Sequence, residues 1–194
     1  QYQLILELSS SKPDYVAPAL QDTLTESLWD TAKDESLHII LREPSLLELA
    51  RRKEPGVLSH CDKLLLSDDK ECWFSALKVL EILNTYDAVQ KLLVLCGYSG
   101  TEDRKLIMHV LARVVTPSHQ EGFRRILRSM IAPGTLDVTC WSNTALRVLK
   151  GVCIEQKIEV ETSLHSLARL FRNKETDKVE TVLVQIQPTE RNNE

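Results

Sequence analysis

Glycine is scarce in this chain, at six residues in 194, and aromatic residues make up only 5%. So few glycines leave no phosphate-cradling loop. Gly97 and Gly100 are spaced as a turn between helices, and no Lys-Ser/Thr pair follows them as a Walker-type loop requires. Long apolar runs are missing too. Leu64 to Leu66 and Leu92 to Cys96 fall far short of the roughly 20 residues that cross a bilayer, so no membrane span is expected. Period-two alternation is nearly absent, which leaves little signal for a sheet. The five histidines, His38, His60, His109, His119 and His165, are scattered. None lies in a His-Glu-x-x-His frame or beside a Gly-x-Ser-x-Gly turn. Neither catalysis, nor a small-molecule substrate, nor a cofactor is therefore expected.

Closely spaced ligand pairs are also lacking. Cys61, Cys72, Cys96, Cys140 and Cys153 are separated by 11, 24, 44 and 13 residues, and the odd count suggests no disulfide framework. His60-Cys61 with Cys72 comes nearest to a metal site, but it has no Cys-x2-Cys or His-x3-His turn to pre-position two ligands, and no metal is expected. Free thiols beside apolar residues behave as small hydrophobes and fit a reducing compartment, cytosol or nucleus. Residues Gln1 to Leu8 lack the basic lead and cleavage pattern of a secretion signal. With no initiator Met, the chain reads as a piece of a longer protein.

What is present is helical. Hydrophobic residues make up 43% and charged residues 27%, inside the ordinary globular range. Helical spacing is strongest through Leu77, Leu80 and Leu83 and through Ile126, Leu127, Met130 and Ile131. Breaks fall at Lys12-Pro13, Glu43-Pro44, Glu54-Pro55-Gly56, Gly97 to Gly100, Thr116-Pro117 and Ala132-Pro133-Gly134. The spacing predicts a pair of helices around Asp14 to Leu41, then Ser45 to Lys53, Pro55 to Leu66, Asp69 to Asn84 and Tyr86 to Cys96. After these it predicts Thr101 to Val115, Pro117 to Ile131, Leu136 to Cys153, Lys157 to Phe171 and Lys174 to Gln187. Ser67 before Asp68-Asp69, and Thr101 before Glu102-Asp103, supply acceptors and negative charge at helix starts. Thr116-Pro117 is a good first-turn proline. Residues 1–187 read as a single helical-repeat domain, and 188–194 as a loose tail.

One phrase recurs. Ala76-Leu77-Lys78-Val79-Leu80 returns as Ala145-Leu146-Arg147-Val148-Leu149, each after a Cys-Trp pair, Cys72-Trp73 and Cys140-Trp141. Ile107-Met108-His109-Val110-Leu111 and Val179-Glu180-Thr181-Val182-Leu183 fall in the same frame, at steps of 31, 38 and 34 residues. A period in this range is the signature of stacked repeats, in which each unit covers its neighbour's apolar face. From about Asp14 to Gln187 the pattern resembles HEAT and armadillo arrays, and the helices opening near Ser45, Pro55 and Asp69 look like a short-medium-long armadillo unit. The resemblance implies an all-α, right-handed superhelical array. The Trp-Asn ladder of karyopherin-type armadillo proteins is not matched, since Leu77 follows Trp73 and Ala145 follows Trp141 at that spacing. Trp73 and Trp141 are expected to plug junctions between units, and Trp29 to be partly exposed.

Charge is uneven. Arg104 to Lys150 holds eight Lys or Arg against Glu121 and Asp137, a local balance of +6 in a chain whose net charge is −4. In the repeat frame Lys78, His109 and Arg147 share one position, with Arg113 and Lys150 a turn further along. Arg124, Arg125 and Arg128 belong to an intervening helix and another face. The expected function is a non-catalytic protein-protein interaction scaffold or adaptor in an intracellular complex, nuclear or cytoplasmic. Lys78, His109, Arg113, Arg147 and Lys150 are its candidate partner-binding residues. The partner they suit is an acidic peptide or helix, whose carboxylates the cations fix and steer. Nucleic acid is the rival anion, but duplex binders carry a basic excess across the domain and this chain has a pI near 5.8. A purely architectural spacer is the third class.

Overall fold

The computed structural model describes residues 20–131, 134–138, 140–156, 159–161 and 183–187. Among them are eight α-helices: α1 Thr25–Lys33, α2 Ile39–Arg51, α3 Val57–Leu65, α4 Lys70–Leu83, α5 Tyr86–Tyr98, α6 Thr101–Val114, α7 Gln120–Met130 and α8 Asn143–Glu155. They pack mostly against sequence-adjacent neighbours. The chain divides into two compact units, one up to Val94 and one from Leu95 onward.

In the first unit α2 packs on α1 and α4, and α3 packs on α4. Leu46, Leu49, Val57, Cys61, Ala76 and Leu80 are fully buried there. The break expected at Glu43-Pro44 does not occur, because α2 runs from Ile39 through Pro44 to Arg51. A proline inside a helix removes one backbone donor. Ile39 on one side and Ser45, Leu46 and Leu49 on the other are buried on the same stripe, and this packing holds the two halves in one helix. Starts and stops follow local chemistry. Asp69 caps α4 by accepting from the Glu71 N–H at 2.9 Å, and Asn84 ends it in the left-handed region at φ 40°. Gly56 precedes α3 at φ +91°, where a Cβ would meet only the Trp29 ring at 3.7 Å. Gly56→Ala is therefore expected to cost about 1–2 kcal/mol through backbone strain rather than a clash, read as a lower urea midpoint with an unchanged slope.

In the second unit α7 packs on α8, and a 3-10 turn, Pro117–His119, leads into α7. Thr116 stands before Pro117 as expected, and its hydroxyl lies 2.7 Å from His119 Nδ1. Ser142 caps α8 by accepting from the Ala145 N–H, while its own N–H donates to the Ala112 carbonyl at 2.9 Å, joining α8 to α6. Three short strands, β1 Gly134–Asp137, β2 Glu159–Glu161 and β3 Leu183–Gln187, form an antiparallel sheet in the order β1-β3-β2, with Gly134 opposite Ile186 and Glu159 opposite Gln187. This corrects three helix expectations. α8 starts at Asn143 rather than Leu136, and the segments at Glu159 and Leu183 are extended. The Val-Gln-Ile-Gln alternation of 184–187 is a strand pattern, too short to stand out beside longer helical periods. The other residues assigned to the last two expected helices, the fourth repeat copy up to Val182, the tail 188–194 and everything before Leu20 lie outside the described residues.

The recurring phrase has the same burial wherever it is described. Ala76, Leu77, Val79 and Leu80 are buried in α4, and Ala145, Leu146, Val148 and Leu149 in α8. Ile107, Met108, Val110 and Leu111 are likewise buried in α6. In each copy the middle residue, Lys78, His109 or Arg147, is the one turned away from the core. No helix among the described residues is long and apolar enough to cross a membrane.

Candidate functional site

The five candidate residues meet different fates. Lys78 is exposed on α4, but its ammonium is tied to Glu43 at 2.8 Å, and Glu43 also accepts from the Ser75 hydroxyl at 2.5 Å. This pair joins α4 to α2 inside the first unit. The other four belong to the second unit. His109 and Arg113 are half-buried on α6, and each has interactions of its own. Arg147 and Lys150 are exposed on α8, with no ion pair to any described residue.

Helical spacing puts Arg147 and Lys150 on one stripe with Asn143 before them and Ile154 after, and all four are exposed. Ile154 is 68% exposed, an apolar end to a cationic stripe. Sequence reasoning missed it, although its place four residues after Lys150 gave the signal. The opposite fate befalls two arginines of α7, Arg124 and Arg128. Glu155, near the end of α8, accepts from Arg124 at 2.9 Å and from Arg128 Nε at 3.0 Å. Those guanidiniums hold its carboxyl below the usual range, Arg128 foremost. Arg124 and Arg128 thus fasten α7 to α8, and the separate face expected for them is a joint within the unit. Gly151 lies under this joint, with Arg124 3.9 Å from where its Cβ would be.

Trp141 is buried and meets Phe123 edge-to-face at 6.0 Å, a packing role inside its unit. Trp73 is only half-buried, beside Phe74. Trp29 is half-buried too, with the Lys33 ammonium 4.7 Å above its ring. Cys61, Cys72, Cys96 and Cys153 are buried free thiols, and Cys140 is an exposed one. Burial pushes Cys61 up to about 12 and Cys96 up to about 11, so these thiols stay protonated and unreactive near neutral pH. Among the described residues no three His, Cys, Asp or Glu side chains gather as a metal site would need. Compared with known protein families, curated proteins and solved structures, the chain matches none.

Proposed function

We propose that this protein is a non-catalytic scaffold that captures an acidic peptide or helix, with α8 as its contact surface. The observation that carries this reading is the exposed stripe Asn143, Arg147, Lys150 and Ile154, in which two cations without an acid partner among the described residues stand beside an exposed apolar side chain. A partner helix with an acidic edge and an apolar residue complements that stripe: its carboxylates accept charge-assisted hydrogen bonds from Arg147 and Lys150, and its apolar side chain covers Ile154. The finer architecture, a right-handed superhelical array of HEAT or armadillo-like repeats, is part of the same proposal. The shared burial of the phrase in α4, α6 and α8 supports it.

The test uses the full chain and proteins cross-linked to it in cells, with the linked positions mapped. Arg147→Glu with Lys150→Glu is expected to weaken the main cross-linked partner at least tenfold at low salt, about 1.4 kcal/mol or more. Thermal stability should hardly change, because both side chains are exposed. Unchanged affinity in the double variant sinks the reading. A gel shift on duplex or single-stranded probes at low salt, abolished by the same reversals, reassigns the stripe to nucleic acid.

A further inference from the structure

The first unit contains a largely buried cation that has no ion pair among the described residues. Arg42, on α2, is only 8% exposed, its Nε is shielded without a hydrogen-bond partner, and its guanidinium makes no ion pair among the described residues. Shielding a guanidinium nitrogen from water is costly unless an acceptor meets it. Asp34 lies within range of its charge, but Oδ1 of that carboxylate already accepts from the Ser36 N–H at 3.0 Å and the Ser36 hydroxyl at 2.6 Å. A second orphaned nitrogen belongs to α3, where His60 Nε2 is also shielded and without a partner. His60 meets the Trp29 ring edge-to-face at 6.1 Å, and Lys33 covers that same ring, so an imidazole from α3 and an ammonium from α1 pack on one indole.

We propose that this corner of α1, α2 and α3 binds a phosphate-type oxyanion, with the Arg42 guanidinium and the His60 imidazole as donors and Lys33 and Lys63 at the rim. A shielded guanidinium N–H and a shielded imidazole nitrogen that becomes a donor when it carries the ring proton, with an excess of positive charge around them, suit a ligand with several strong acceptor oxygens. The electrostatics agree. Burial lowers the pKa of His60, and the charges of Arg42, Lys63 and Lys33 lower it further against an opposing effect of Glu35. The ring is therefore neutral at pH 7, with one N–H available to donate, and a bound dianion would reverse the balance and favour the imidazolium. Its residues belong to the first unit and those of the α8 stripe to the second.

Inorganic phosphate is the first probe, added to the full chain against chloride at matched ionic strength. The melting temperature is expected to rise by several degrees at millimolar phosphate. The NMR titration midpoint of His60 should move up on phosphate binding. Arg42→Met should lose both responses and melt higher than the parent protein in phosphate-free buffer, since it removes a largely buried charge that has no ion pair among the described residues. Arg42→Lys keeps the charge but loses the planar fork, and should bind phosphate at least tenfold more weakly. A phosphoserine peptide and its unphosphorylated twin form the second arm. A response to phosphate alone assigns the corner to the free ion. A response only to the phosphopeptide assigns it to a phosphorylated partner. No response in either arm, or a phosphate response retained by Arg42→Met, overturns the proposal.

Discussion

Phe123→Ala is expected to destabilise the second unit by about 3–5 kcal/mol, the range for truncating a fully buried ring in a packed core. Phe123 has no exposed surface, and α7 delivers it against the edge of Trp141. Removing the ring loses its transfer free energy and leaves a cavity that two helices and an indole cannot close by small shifts. It also removes the aromatic pair, worth about 0.5–1.5 kcal/mol beyond area. Chemical denaturation followed by Trp141 fluorescence gives the value, and the other two tryptophans can be replaced by phenylalanine to isolate that signal. Arg125→Ala, two residues away and exposed, is the control and should stay within about 0.5 kcal/mol. Equal effects from the two substitutions would show that Phe123 is not a core residue.

Glu48→Gln is expected to cost the first unit roughly 3 kcal/mol, as breaking a buried ion pair does. The Glu48 carboxylate is 0% exposed and accepts from Arg51 at 2.8 and 2.6 Å and from Arg52 Nε at 2.7 Å. Arg52 in turn donates to the carbonyls of Leu20, Gln21 and Thr23, so the carboxylate anchors the guanidinium that pins the start of the described chain to the end of α2. An amide offers one acceptor oxygen and no charge, and it leaves one of those donors unmet. The pH dependence has a fixed sign. Arg51 first, then Arg52, hold the Glu48 carboxyl below its ordinary value against the opposing effect of burial. Its stabilisation is therefore fully present above the unfolded value of about 4.3 and is lost as pH falls through the lower folded value. Between pH 7 and 5 the gap between the parent protein and Glu48→Gln should stay constant, and it should narrow below about pH 4. A gap that instead closes between pH 7 and 6 would place the effect on some other group.

Much of the helical body was legible in the order of residues. The boundaries of α4, α6 and α7 fall within a few residues of those expected, because apolar spacing, a capping Asp69 and a first-turn Pro117 are local signals. Pro44 misled because its cost is local while the burial of Ile39 and Leu46 that outweighs it is not. The strands at Glu159 and Leu183 were missed because their alternation covers only a few residues and their pairing spans more than twenty. The candidate site was legible only in part. The basic middle was visible as a count, but which cations remain available depends on where Glu43 and Glu155 fold.

The chain's own pattern set its helical class, the repeated burial of Ala76 to Leu80 and Ala145 to Leu149, and the outward direction of the cation within each phrase. Period and side-chain size act over one or two turns and need no partner. Folding in three dimensions decided the rest. It joined Lys78 to Glu43 and Arg124 and Arg128 to Glu155, left Arg147 and Lys150 exposed beside Ile154, and buried Arg42 with no ion pair among the described residues. Charge pairing depends on distances between segments some thirty residues apart, and only the packing of helices sets those distances.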